Sequence, residues 1–141
     1  MRFLYLHPDR LLGACIMAPG QLTLPSLSLP WPQGLAGDFS TLFPEIKPAV
    51  TLSQLALVPL HGIVGGDDND PLAVEPGSFG GGAGTRADRL KVLVEALRAA
   101  GADMGMQVVP GVMHEGDKLY PTAQAFFAKL LATLSRSSSE V

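Results

Sequence analysis

The residues best suited to chemistry in this sequence are a histidine and an aspartate, each set in a glycine-bearing turn. His114 lies in Val109-Pro110-Gly111-Val112-Met113-His114-Glu115-Gly116. Asp68 lies in Gly65-Gly66-Asp67-Asp68-Asn69-Asp70-Pro71. A carboxylate that accepts the Nδ1–H of a histidine fixes its tautomer and stabilises the imidazolium. The second ring nitrogen can then act as a general base toward a hydroxyl nucleophile. The competing reading has both residues in loops with no mutual contact, and the spacing alone leaves the two open. His7 reads as a solvated histidine at a helix end, and His61 as a packed residue inside a strand. The single Cys15 reads as a small buried hydrophobe ahead of a reactive thiol. One cysteine excludes an internal disulfide and supplies no metal-site spacing, so neither metal nor cofactor is expected.

For Asp68 and His114 to meet, each must leave the C-terminal end of a strand, and the two strands must be neighbours. Residues 11–18 are a continuous apolar run of strand length, as in a parallel sheet covered on both faces. Residues 55–64 form the next strand candidate, its ordered part beginning at Leu60 because Pro59 interrupts it. Met104, Met106 and Val108 alternate into a third. Residues 85–100 carry Leu90, Leu93, Val94 and Leu97 in one apolar stripe, with Thr85 and Asp88 as a capping-box start and Gly101 at the end. A final helix runs from about 118 or 121 to 134, with Ala123, Phe126, Phe127, Leu130, Leu131 and Leu134 as its buried face. Residues 2–7 read as a helix tail ended by Pro8, and a short helix from Asp38 reaches about Ile46 before Pro48. The long loop 19–37 carries Leu22, Leu24 and Trp31, which either line a substrate pocket or fold back on the core. This alternation of strands and helices predicts an α/β fold, a three-stranded parallel sheet with flanking helices. Residues 1–135 are expected to form a single domain and 136–141 a polar tail.

The two turns and the helix after His114, with Pro121, Ala125, Phe126 and Phe127, resemble the C-terminal half of an α/β-hydrolase. So do His7-Pro8-Asp9-Arg10, Gly13-Ala14 and Ala18-Pro19-Gly20, and residues 22–35 are similar to esterase-like members related to polyhydroxyalkanoate depolymerases. The resemblance implies a serine esterase that works by acyl transfer, with Asp68 as acid and His114 as base. Asp70 is the alternative acid and Asp67 the third. It also implies a small-molecule ester as substrate, once a missing N-terminal half completes the site. Two departures bear on geometry: Met113 stands where a small residue is common, and His61-Gly62 interrupts a strand that is usually uniformly apolar.

The family's nucleophile sits in a G-x-S-x-G elbow, and this sequence has none. Its nearest imitation, Gly77-Ser78-Phe79-Gly80, has Pro76 in the first glycine position and follows the acid, so Ser78 is rejected as nucleophile. Without nucleophile and oxyanion donors the chain by itself is expected to be inactive. It reads as starting inside the helix that follows the elbow, which leaves residues 11–18 as an exposed sheet edge. A non-catalytic α/β remnant that self-associates or binds a partner through that edge is the alternative function. A formal charge of −3 with only 16% charged residues argues against nucleic acid. No apolar run approaches the ~20 residues that span a bilayer, and no signal peptide is visible, so a cytoplasmic setting is the default expectation.

Overall fold

The computed structural model describes residues 2–70 and 84–139, with side chains as far as Arg136. Three strands, β1 (Ala14–Met17), β2 (Leu60–Gly65) and β3 (Met104–Val109), form one parallel sheet in the order β1-β2-β3. Cys15 lies opposite His61, and His61 opposite Gly105. The expected α/β architecture is present, and with it the side-by-side placement of the β2 and β3 C-terminal ends. β1 is shorter than the apolar run 11–18. At Gly13 the backbone passes against Leu130 and the Pro59 carbonyl, too close for a side chain to fit without displacement.

Among the described residues five α-helices flank the sheet: α1 (Arg2–Leu6), α2 (Phe39–Leu42), α3 (Pro48–Leu55), α4 (Arg86–Ala99) and α5 (Gly116–Ser139). α4 begins as its sequence predicts. Thr85 Oγ1 accepts from the Asp88 N–H at 3.2 Å, and Asp88 accepts from the Thr85 N–H at 2.8 Å. Leu90, Leu93, Val94 and Leu97 are buried against the sheet, and Gly101 closes the helix at φ +92°. α3 was not foreseen. Pro48 opens this helix, because proline's fixed φ and missing N–H suit a first turn. The helix from Asp38 accordingly stops at Leu42 rather than Ile46.

The loop 19–37 folds back on the core. Tyr5 Oη donates to the Thr23 carbonyl at 2.6 Å, and Thr23 Oγ1 to the Pro32 carbonyl at 2.8 Å. Leu22 is buried, Leu24 packs against the same core, and Trp31 meets the rings of Phe39 and Phe43 edge-on at 5.3 and 5.5 Å. Of the two readings of Leu22, Leu24 and Trp31, the structure thus shows core packing.

The two faces of the sheet are unequally covered. The α1, α3 and α4 side holds the main core, whereas the α5 side buries only Ile63, Val112, Leu119 and Ala123 as a small cluster. α5 is longer at both ends than expected. It starts at Gly116, carries Pro121 inside, and continues to Ser139 through residues read as a tail. Its predicted buried face is corrected: Phe127, Leu131 and Leu134 are 38%, 55% and 39% exposed. One flank of α5, with Thr122, Lys129 and Thr133, lines a cleft against Gly105 and Gln107 of β3. At 100° per residue, Tyr120, Phe127, Leu131 and Leu134 fall on the opposite flank, toward the open β1 edge. Among the described residues no helix is long and apolar enough to cross a membrane.

Candidate active site

The acid turn and the histidine turn are joined through their main chains before any side chain is considered. The Gly66 N–H donates to the Val109 carbonyl at 2.8 Å, and the Asp67 N–H to the Val112 carbonyl at 2.9 Å. Gly65 permits this approach, since a Cβ there would collide with the carbonyl oxygens of Val112 and Met113. Gly111, at φ +70°, turns the chain after β3 in a conformation that L side chains rarely adopt. Both glycines belong to the two turns singled out above.

This backbone frame brings the two side chains together. His114 Nδ1 lies 3.1 Å from Asp68 Oδ2. The other carboxylate oxygen, Oδ1, accepts from Arg86 Nη1 at 2.8 Å. The Asp68 side chain is 1% exposed, that of Arg86 17% and that of His114 56%. A buried carboxylate is costly unless it is paired and hydrogen-bonded, and here each oxygen has one partner. The imidazole, by contrast, is more than half exposed. In this arrangement Asp68 can hold His114 as the Nδ1–H tautomer, which leaves Nε2 as the acceptor.

The neighbouring acids are not so placed. Asp67 and Asp70 are exposed, and neither hydrogen-bonds His114. Met113 points outward, 53% exposed, so its bulk does not disturb the turn. His61 stacks on Phe126 at 5.2 Å with the rings 15° apart, a packed histidine as expected. His7 lies beside the Phe3 ring at 5.0 Å. Cys15 packs against the Ile63–Leu119 cluster, and burial pushes its thiol up, away from the thiolate that would be reactive. Ser78 lies outside the described residues. Among the described residues, no group of three or more His, Cys, Asp or Glu could hold a metal.

Arg86 is the one member of the cluster that sequence reasoning missed. A partial signal existed, because a cation in a helix's first turn opposes the helix dipole and calls for a nearby anion. The cleft beside α5, about 450 Å³, does not include the cluster. It is lined by residues such as Pro59, Asp103 and Phe126, and neither Asp68 nor His114 borders it. The charge–histidine cluster is the better candidate site because it has convergent polar groups at strand C-terminal ends, where open α/β sheets place their chemistry.

Among solved structures, the chain is similar to LpqC, a poly(3-hydroxybutyrate) depolymerase from Bordetella parapertussis. The TM-score is 0.66 at 24% sequence identity, over 85% of this chain and 44% of that one. The chain therefore spans under half the length of the protein it resembles. The likeness is one of fold, and it agrees with the α/β architecture of the three-stranded parallel sheet and its flanking helices. No family model and no curated protein matches the chain.

Proposed function

We propose that Asp68 and His114 are the acid and general base of a site that hydrolyses carboxylic esters by acyl transfer, whose nucleophile this chain does not carry. The observation that supports this reading is the 3.1 Å contact between His114 Nδ1 and a buried Asp68 carboxylate, with more than half of the His114 side chain exposed. In the completed site a serine hydroxyl attacks the ester carbonyl as His114 Nε2 takes its proton. The imidazolium then protonates the departing alkoxide, and Asp68 balances its charge. In the second half, His114 draws a proton from water as its oxygen attacks the acyl-serine carbonyl, and the imidazolium then returns that proton to the departing serine oxygen, which frees the acid and restores the hydroxyl. The similarity in fold to a poly(3-hydroxybutyrate) depolymerase makes hydroxyalkanoate esters the first substrates to try.

The purified 141-residue chain is expected to show no turnover of short-chain aryl esters above buffer, and His114→Ala to change nothing. Robust turnover abolished by His114→Ala would overturn the claim that the chain alone lacks a nucleophile. If the reading frame upstream of Met1 encodes a strand and G-x-S-x-G, the longer product should be active and should lose activity in His114→Ala and Asp68→Asn. An active longer product indifferent to both substitutions would refute the assignment of acid and base.

A second reading is favoured by the apolar flank of α5 beside the open β1 edge: the chain associates through that edge. Tyr120, Phe127, Leu131 and Leu134 are all more than a third exposed there, a contiguous apolar strip of the kind that marks an interaction surface. Sedimentation decides it, since a monomer at high concentration with cooperative unfolding removes its support.

A further inference from the structure

We propose that Arg86 is a positioning residue for His114, acting through Asp68. The proposal rests on the acid–base reading above. An Asp carboxylate turns about a terminal torsion that is broad and two-fold, so one hydrogen bond to an exposed histidine does not fix its plane. His114 is 56% exposed and is the weaker of the two anchors. Arg86 supplies the second, with Nη1 2.8 Å from Oδ1, and a charge-assisted bond of this length is among the stronger ones available. With Oδ1 held, the remaining oxygen, Oδ2, faces Nδ1.

Arg86 is itself well placed to hold. It is the first residue of α4, immediately after Thr85, and the reciprocal Thr85–Asp88 capping bonds fix the backbone from which it extends. Its side chain is 17% exposed, so the ion pair lies largely out of water, where it is screened little. The guanidinium also sets a fixed positive charge beside the buried carboxylate, the pairing that a charge taken out of water requires. Arg86 lies 18 residues beyond Asp68 in sequence, and the helix cap brings it back to the acid turn.

The test reads the Nδ1–H of His114 directly, by proton NMR of the full chain labelled with ¹⁵N-histidine. The unsubstituted chain should show a downfield Nδ1–H resonance that is lost in His114→Gln and shifted upfield in Asp68→Asn. In Arg86→Met this proton should exchange with water roughly tenfold faster or more, or vanish, the change that corresponds to losing about one charge-assisted hydrogen bond. Arg86→Lys should restore it in part, because an ammonium supplies charge and a donor without the fixed fork. The amide resonances of α4 should stay in place, which separates positioning from unfolding. An Arg86→Met chain that keeps the resonance and its exchange rate overturns the proposal. If Arg86→Met does not fold, Arg86→Gln, which retains a donor but no charge, carries the same test with the same two outcomes. A downfield resonance missing from the unsubstituted chain would instead refute the Asp68–His114 pairing, and this proposal with it.

Discussion

Gly65→Ala should separate the acid turn from the histidine turn, at a cost that can be worked from the packing. The added methyl would meet two main-chain carbonyl oxygens, those of Val112 and Met113, rather than the flexible end of a side chain. The nearer of them, that of Val112, cannot swing aside, because it already accepts from the Asp67 N–H at 2.9 Å and the adjoining Gly66 N–H is bound to Val109 at 2.8 Å. Restoring ordinary contact distances requires the turns to part by roughly 1 Å. That movement would break the Asp67–Val112 bond and stretch the 3.1 Å His114–Asp68 contact beyond hydrogen-bonding range. Overpacking of this kind costs about 1–3 kcal/mol, and the lost main-chain bond adds about 1 kcal/mol. The expected loss is therefore about 2–4 kcal/mol, which in a chain of this size lowers Tm by roughly 6–12 °C. Gly111→Ala is the control. There φ is +70° but nothing lies within 4 Å of a new Cβ, so only the left-handed backbone is strained, at about 1 kcal/mol. Thermal and urea unfolding of both variants, with the His114 Nδ1–H followed by NMR, test the reasoning. Gly65→Ala within 1 kcal/mol of the unsubstituted chain, or milder than Gly111→Ala, would refute it.

Four further outcomes are expected. Asp88 has its carboxyl held below the usual aspartate range, first by the Thr85 N–H, then by the Thr85 hydroxyl and by Lys91; its contribution is present above the unfolded pKa and fades as pH falls through about 4 and below. The stability difference between Asp88→Asn and the unsubstituted chain should therefore shrink on acidification, and a constant difference in unfolding titrations would contradict this. Burial pushes the Tyr5 hydroxyl up, above the ordinary tyrosine range, so its contribution is full below about pH 10 and declines above it, where the unfolded chain ionises first; Tyr5→Phe should cost about 1–2 kcal/mol near neutrality by leaving the Thr23 carbonyl without its 2.6 Å donor, and should flatten the alkaline decline. Leu131→Lys, on the exposed flank of α5, should change stability by no more than about 0.5 kcal/mol while reducing any self-association seen by sedimentation; unaltered association would remove α5 from the contact. In native-state hydrogen exchange the amides of β2, β3 and α4 should be the slowest and those of α5 beyond Leu130 among the fastest, and equal protection along α5 would contradict its one-sided burial.

The parts of the fold that were legible in the sequence are those whose signals are local. Thr85 and Asp88 bond each other across three residues, so the start of α4 can be read without knowing its neighbours. Leu60–Gly65 reads as a strand because its apolar run stops at a glycine pair. Pro48 was misread because proline both ends helices and opens them, and only the packing of Thr51 and Leu55 shows which. The exposure of Phe127, Leu131 and Leu134 was illegible for a different reason. Periodicity shows that a helix has an apolar face, while burial depends on whether another element covers it. Arg86 is the same kind of case at the candidate site, its partnership with Asp68 set by where α4 meets the acid turn.

The unequal covering of the two sheet faces bears on how rigid the candidate site is. Every group that fixes Asp68 and His114 comes from the β2 and β3 ends or from the first turn of α4. Those elements share the larger core, in which Leu60, Val64, Leu90, Leu93, Val94 and Met104 are buried together. α5 contributes only Leu119 and Ala123 to its own small cluster, together with Ile63 and Val112. Of these, Val112 alone belongs to the histidine turn, and its carbonyl is held from the acid turn rather than from α5. Val109, also in the histidine turn, packs against the same cluster, and α5 begins two residues after His114, so loosening of its outer turns reaches the site only through these contacts, which the main-chain bonds from Gly66 and Asp67 oppose. By this account the acid–base pair is organised by the sheet ends and α4, independently of whatever covers the apolar flank of α5.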